Sequence, residues 1–242
     1  MNRVLAATRT DVALQARNRL YAISVVFAAS MIGALAWLST PQSLHRTVPM
    51  AVLLVVGGST LMYIVAMVLI ERDDGTLEAV SVSPLRPWEY LCAKVVSLTG
   101  IAVFEGMVLV GGTLWWLDGS AFAGATIPLV LLGLAALGAL QTLVGVIVVA
   151  RYDRITEALM PMGLVALVLQ IPALYFIGAI DSTVALAIPS APPAMFLRGA
   201  FTSLTMGEWL YASIGTAATL AAAAAWAHRS FVLHVIHKGV QA

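Results

Sequence analysis

Six apolar runs, each close to the length of a membrane span, dominate the hydrophobic pattern of the chain. A helix needs roughly 20 apolar residues to cross the hydrocarbon core of a bilayer, because each residue advances it by about 1.5 Å. The pattern therefore predicts an all-α membrane protein with six transmembrane helices in a single transmembrane domain, residues 1–242. The predicted spans cover residues 21–38, 50–70, 95–117, 127–150, 158–180 and 209–227.

Residues 1–19, ahead of the first span, alternate apolar and basic side chains. This pattern predicts an amphipathic helix that lies on the membrane surface, with its arginine stems reaching toward the headgroups. The alternative is a disordered basic tail. No cleavable signal segment is apparent, since arginines interrupt the first twenty residues. After the last span, residues 228–242 are predicted to form an amphipathic cytosolic tail. The apolar side of the first helix would contain Val4, Leu5, Val12, Leu14 and Leu20.

The distribution of basic residues predicts the orientation of the spans. With both termini in the cytosol, eleven of the 13 Lys and Arg residues lie inside, and only Arg46 and Arg198 lie outside. Basic residues are enriched on the cytosolic side of membrane proteins. We therefore expect a multi-pass protein of the cell (inner or plasma) membrane with cytosolic N- and C-termini. The loop 181–208 is then external, and its apolar, proline-rich sequence predicts a short re-entrant or interfacial element.

Composition agrees with a membrane protein and adds little on chemistry. Hydrophobic residues make up 61% of the chain and charged residues 10%, against roughly 25% charged in soluble domains. The single cysteine, Cys92, excludes an internal disulfide. The lipid bilayer is an expected partner, and nucleic acid is not.

The connector between the second and third spans is the one place where charge is dense between long apolar runs. Asp73 or Asp74 can cap a short helix over residues 75–82, which Pro84 would end because proline lacks a backbone N–H. Pro87 suits the first turn of another helix that reaches the membrane boundary. An ordinary interfacial loop with two caps is the alternative interpretation.

The sequence E-R-x-x-G-T-L-E-x-x-x-x-S-P-L-R-x-x-E-Y-x-x-x-K in this connector resembles the signature of type-2 ABC exporter permeases. The resemblance covers nearly the whole chain through the six-span layout. Within that family, PLRPWEYLCAK and PSAPPAMFLRGAF are most similar to fluoroquinolone-export permeases. The resemblance implies a cytosolic coupling helix that docks on an ATPase subunit, and Lys94 closes the motif. The implied ATPase-coupling residues are Glu71, Arg72, Gly75, Thr76, Leu77, Glu78, Ser83, Pro84, Leu85 and Arg86.

The resemblance implies a transport subunit that is not itself an enzyme. It would pair with a second permease copy, in a homo- or heterodimer, and with a separate ATP-binding subunit that holds ATP and Mg. No cofactor is expected in this chain: its two lysines follow Ala93 and His237, so neither belongs to a Walker A loop. Amphiphilic small molecules such as drugs are the expected substrates, and lipid or haem-related cargo is the alternative. A membrane scaffold without transport and an intramembrane enzyme are the alternatives of other classes.

Glu105 is the most informative single residue within a span. A carboxylate at a helix centre costs roughly 2.5–3.5 kcal/mol on insertion scales, so its side chain should face the protein interior or water. It is a candidate for the substrate pathway, as an anchor for a cationic group or a proton-titrating site. The alternative is a buried glutamate that helps helices pack. Gln141 and Gln170 are weaker candidates of the same kind.

Other features favour structural interpretations. His234 and His237 underfill a zinc shell of about four ligands, so no metal site is expected. Pro161 and Pro172 are predicted to kink the fifth span, and the alanine-rich sixth span permits close helix packing. A second charge cluster between spans four and five is a solvated helix end, with a secondary ATPase contact as the alternative. That cluster contains Arg151, Asp153, Arg154 and Glu157.

Overall fold

The computed structural model describes residues 2–73, 86–117, 126–152 and 154–233, and this part of the chain is almost entirely helical. It confirms the predicted all-α class. Two short 3-10 helices, Pro41–Ser43 and Thr183–Ala187, lie in the connections. The α-helices are α1 (Asn2–Arg17), α2 (Leu20–Leu38), α3 (Leu44–Asp73), α4 (Pro87–Leu117), α5 (Ile127–Val149), α6 (Ile155–Ile177), α7 (Ala191–Gly199) and α8 (Met206–Phe231).

Six helices among the described residues, α2 to α6 and α8, are long and apolar enough to cross a membrane. Each predicted span coincides with most of one of them, and α3, α4 and α8 extend beyond the predicted limits. α4 begins at Pro87 and runs on into the third span, so the second helix expected in the connector is the first part of that span. α6 ends at Ile177, because Gly178 takes a left-handed conformation (φ 80°) that caps the helix three residues before the predicted limit.

The helix α5 forms the centre of the bundle and packs against α3, α4, α7 and α8. Glycines permit these close approaches, as small residues commonly do in membrane helices. A Cβ atom on Gly145 would lie 2.1 Å from Ile64 of α3, and one on Gly138 would lie 2.7 Å from Ala102 of α4. α5 is therefore fixed in place by backbone-to-side-chain contact on two sides.

The short element predicted in loop 181–208 is the helix α7, and it is packed into the bundle. Its residues from Ala191 to Leu197 are buried among α3, α5 and α8. Just before it, Ser190 Oγ donates a hydrogen bond of 2.5 Å to the carbonyl of Leu169. Leu169 lies eight residues before the end of α6, or roughly 12 Å along that helix. The element is therefore re-entrant, and it does not lie flat on the surface.

The N-terminal helix α1 is ordered and packs against α4. Only part of the predicted apolar side faces the protein: Leu14 packs against the core and Leu20 is buried in it. Leu5 and Val12 are exposed, whereas Asp11 and Gln15 are buried. Exposed apolar residues suit a helix on a lipid surface, while the two buried polar residues require partners inside the protein.

Candidate functional site

The structure describes only the two ends of the predicted coupling segment. Glu71 and Arg72 lie in the last turn of α3, and Arg86 directly precedes α4. Arg86 is held there because its backbone N–H donates a 2.7 Å hydrogen bond to Glu89 Oε2, one half of a capping box. The remaining coupling candidates, Gly75, Thr76, Leu77, Glu78, Ser83, Pro84 and Leu85, lie outside the described residues.

A buried charge cluster joins these two ends to the N-terminal helix. Lys94 of α4 is 1% exposed, and its Nζ donates to Asp11 Oδ1 of α1 at 2.6 Å. The same ammonium forms an ion pair with Glu71 Oε1 of α3. Tyr90 OH donates to the other Glu71 oxygen at 2.7 Å, and Ser97 Oγ lies 3.3 Å from Asp11 Oδ2. We call Asp11, Glu71 and Lys94 the charge cluster.

The charge cluster places one ammonium between two carboxyl groups. Burial raises the pKa of Asp11 above its ordinary value, and the charge of Glu71 adds to that increase. The charge of Lys94 and its hydrogen bond act in the opposite direction. Removing one partner of a buried ion pair typically costs about 3–5 kcal/mol, because the other charge stays buried without compensation. Lys94 therefore holds α1 and the end of α3 against the first turns of α4.

Two further contacts strengthen the same end of the bundle. Gln15 Nε2 of α1 lies 3.7 Å from Met67 Sδ of α3, and Gln15 Oε1 accepts from Tyr21 OH at 3.2 Å. The Tyr90 ring stacks on Phe231 at the end of α8, with centroids 4.9 Å apart. The charge cluster and these contacts tie α1, α3, α4 and α8 together at what we call the Lys94 end of the bundle.

Glu105 lies in the interior, as the cost of a carboxylate within a span predicts. It is 0% exposed, and its Oε2 lies 2.6 Å from Ser59 Oγ of α3. Ser24 of α2 and Tyr63 of α3 share a 2.9 Å hydrogen bond nearby. The result is a buried polar network across α2, α3 and α4. Because Glu105 is fully buried, this conformation exposes it to no substrate.

The three pathway candidates converge on one stretch of α3. The Gln141 amide lies over Gly57, and the Gln170 amide lies over Gly58; their Nε2 atoms are 3.0 and 3.1 Å from the Cβ positions of these glycines. Glu105 contacts the next residue, Ser59. Gln141 is 0% exposed, and within the described ranges its amide has no hydrogen-bond partner. Gln170 also lines a groove of about 570 Å³ between α3 and α6.

Sequence reasoning missed several residues of these networks. Asp11 and Gln15 were overlooked because both stand in a helix expected to bury only its apolar side. Their spacing of four residues, which puts two polar side chains on one helix face, was the available signal. Ser59 and Tyr63 have the same spacing in α3, within a run that reads as apolar.

No metal centre is visible in the part of the chain that the structure describes. Within residues 2–73, 86–117, 126–152 and 154–233, no three His, Cys, Asp or Glu side chains are grouped so that they could hold an ion. His234 and His237 lie outside these residues, so the expectation about them stays a prediction.

The fold and the apolar helices define a multi-pass membrane protein, and comparison with known proteins gives its family. The sequence model of the fluoroquinolones export permease protein family matches residues 2–239, and the chain belongs to this family. Two curated relatives, both fluoroquinolones export permease proteins from strains of Mycobacterium tuberculosis, are 27% identical over 223 residues. The match covers 86% of this chain and 85% of each relative. The resemblance seen in the sequence is thereby confirmed, and the chain is an export permease.

Proposed function

We propose that this permease is the membrane-spanning subunit of an ATP-driven ABC exporter of amphiphilic small molecules, with fluoroquinolone-like drugs as the first candidates. The family match over residues 2–239 carries this proposal, and both relatives are named for fluoroquinolone export. Lipid and haem-related compounds are the alternative cargo. The protein would lie in the cell membrane with both termini in the cytosol, as the eleven-to-two distribution of basic residues supports.

A separate ATP-binding subunit would bind ATP and Mg, and this chain would hold no cofactor. The segment between Asp73 and Arg86, with Leu77 and Glu78, would dock on that subunit as the resemblance implies. The charge cluster supports a mechanical role for the segment, because Glu71 stands just before it and Lys94 follows it in α4. A displacement of the segment would reach α3, α4 and α1 together.

The long helix α3 provides a path from the segment to the pathway candidates. Gly57, Gly58 and Ser59 lie about fourteen residues before Asp73, or roughly 21 Å along the helix. They contact Gln141 of α5, Gln170 of α6 and Glu105 of α4. A tilt of α3 driven at the Lys94 end would therefore change the packing around all three candidates.

A second permease copy would complete the pathway at the α3–α6 side. On this side α6 exposes a row of large apolar side chains, including Leu167 and Leu174, which are 65% and 49% exposed. The groove lined by Gln170 runs beside this row. Two copies facing each other here would enclose the two grooves between them.

Reconstitution tests the proposal. The permease and its cognate ATP-binding subunit are placed in proteoliposomes, and ATP-dependent movement of a fluoroquinolone is measured. An ATP-binding subunit lacking its Walker A lysine is the control and should abolish transport. Competition by lipid or haem compounds would identify the alternative cargo. A membrane scaffold or an intramembrane enzyme would show no ATP-dependent movement of any of these compounds, and that result would overturn the proposal.

A reporter at Gly75 and one after Ala242 should both lie in the cytosol, and one near Ser190 should lie outside. Gly75 and Ser190 in the same compartment would contradict the proposed orientation.

A further inference from the structure

A groove of about 650 Å³ between α5, α6 and α8 has an unusual combination of lining residues. Its wall is aliphatic along almost its whole length, and its charged lining residue is Arg151. Arg151 follows the end of α5 directly, at the Lys94 end of the bundle. We propose that this groove binds an acyl chain of an anionic phospholipid, with the lipid phosphate held by Arg151.

The length of the groove fits a single leaflet. Along α5 and the turn after it, the groove extends from Leu140 to Arg151, which is eleven residues or roughly 16 Å at the helical rise. Half of a hydrocarbon core of about 30 Å is about 15 Å. Leu169 and Pro189 also line the groove. Ser190, the neighbour of Pro189, donates its hydrogen bond to the Leu169 carbonyl. The re-entrant connection therefore lies beside the groove near mid-bilayer.

The mouth of the groove has the chemistry of a headgroup site. Arg151 is exposed, and its Cζ lies 6.0 Å from the centroid of the Trp226 ring. Tyr152 lines the groove beside it. Trp and Tyr are enriched at membrane–water interfaces, and a cation–π contact orients the guanidinium without using its N–H donors. Those donors match phosphate oxygens in a bidentate geometry.

The surrounding charges favour an anionic headgroup. Arg154 and Arg229 are exposed at the same end of the bundle, at the start of α6 and near the end of α8. Among the described residues here, Glu157 in the first turn of α6 is an exposed opposing charge, and Asp153 lies outside the described residues. Basic sites between transmembrane helices attract anionic lipid headgroups over neutral ones.

An acyl chain is the apolar group that a bilayer supplies along the whole aliphatic wall of the groove.

Fluorescence quenching in nanodiscs tests the proposal, because Trp226 lines the groove. The full-length permease is reconstituted in phosphatidylcholine with a minor fraction of brominated phosphatidylglycerol, or the same fraction of brominated phosphatidylcholine. The Trp226 contribution is the difference between the wild type and Trp226→Phe. We expect the anionic lipid to quench this contribution at a several-fold lower fraction than the neutral lipid.

Three variants make the result specific. Arg151→Gln should abolish the preference for the anionic lipid, whereas Arg46→Gln, which changes an exposed arginine away from the groove, should keep it. Ala222→Phe fills the groove and should reduce quenching by both lipids. Helical circular dichroism confirms that each variant is folded.

Equal quenching by the two lipids would overturn the proposal, as would a preference that survives in Arg151→Gln. Absence of quenching by either lipid would also overturn it and would indicate that protein covers the groove. The measurement uses no ATP, ATP-binding subunit or transport substrate, so its outcome is independent of the proposed function.

Discussion

Asp11 and Lys94 are 83 residues apart in the chain, yet the Lys94 ammonium donates a 2.6 Å hydrogen bond to the Asp11 carboxyl inside the protein. The contact connects the N-terminal helix α1 to the first turns of α4, a helix long and apolar enough to span a membrane. Glu71 binds the same ammonium from the end of α3. The N-terminal helix is therefore part of the structure that flanks the predicted coupling segment.

Lys94→Met should destabilise the protein more than any other single change in the charge cluster. It leaves the carboxyl groups of Asp11 and Glu71 buried without their cation, at a cost of about 3–5 kcal/mol. Asp11→Asn should cost less, because Lys94 keeps its ion pair with Glu71. Thermal unfolding in detergent measures both, with the exposed Arg9→Met as control. Equal melting of Lys94→Met and wild type would contradict the prediction.

The contribution of Asp11 to stability should decrease as the pH rises. Its pKa in the folded protein is raised by burial above the ordinary value of 3.8. The folded state thus holds more protons than the unfolded state between these two pKa values, and its stability falls through that window. Below pH 3.8 the stabilising contribution of Asp11 is fully present. Above its raised pKa in the folded protein that contribution is lost.

The measurement compares the melting temperatures of wild type and Asp11→Asn across the mildly acidic range. The difference, wild type minus variant, should fall as pH increases toward neutral. A difference that grows with pH would mean that Lys94 dominates and that the pKa of Asp11 is lowered.

Glu105→Gln should have a small effect that is the same for cationic and neutral substrates. Glutamine can still bond to Ser59, and the fully buried Glu105 touches no open groove surface in this conformation. Glu105→Ala should cost more, because it removes one of the hydrogen-bond partners of Ser59 and leaves a cavity. Transport of matched cationic and neutral compounds at equal expression is the test. If Glu105→Gln reduced transport of the cationic compound but not of the neutral one, the hypothesis that Glu105 anchors a cationic substrate would be restored.

Gly145→Ala should destabilise the bundle by about 1–3 kcal/mol, the usual cost of overpacking. The new Cβ would lie 2.1 Å from Ile64 Cγ2. Ile64→Ala removes that atom, so Gly145→Ala should cost less in an Ile64→Ala background than in the wild type. Gly163→Ala in α6 is the matched control, since nothing lies within 4 Å of its Cβ position. Thermal unfolding that ranks Gly163→Ala below Gly145→Ala would refute this packing.

Leu77→Asp and Glu78→Arg should leave membrane insertion intact while weakening binding of the ATP-binding subunit. The coupling role that the resemblance implies gives the expectation, since a buried apolar contact and one charge would set docking. Pull-down and transport are the measurements, and Asp181→Arg, at an exposed carboxylate in the loop predicted to be external, is the control. Normal pull-down by both variants would remove these residues from the docking surface.

The sequence predicts the all-α class and the family because both depend on local information. Apolar length identifies spans without knowledge of their neighbours, and the cost of a carboxylate places Glu105 inside without naming its partner. The pairing of Asp11 with Lys94 is different, because it depends on how α1 is rotated against α4. The convergence of Gln141 and Gln170 on Gly57 and Gly58 likewise requires the packed bundle. The coupling residues between Asp73 and Arg86 stay predictions.

The packing of α7 against α8 also determines when the core of the protein can be completed during synthesis. A Cβ on Gly215 of α8 would lie 3.0 Å from Pro192, and Tyr211 of α8 donates a 2.6 Å hydrogen bond to the carbonyl of Leu186. Both contacts come from α8, which leaves the ribosome after the other described spans. Until α8 enters the bilayer, the apolar residues of α7 lack one of their walls. A nascent chain that stops before Met206 therefore carries an unfinished core, which membrane quality-control proteases can recognise.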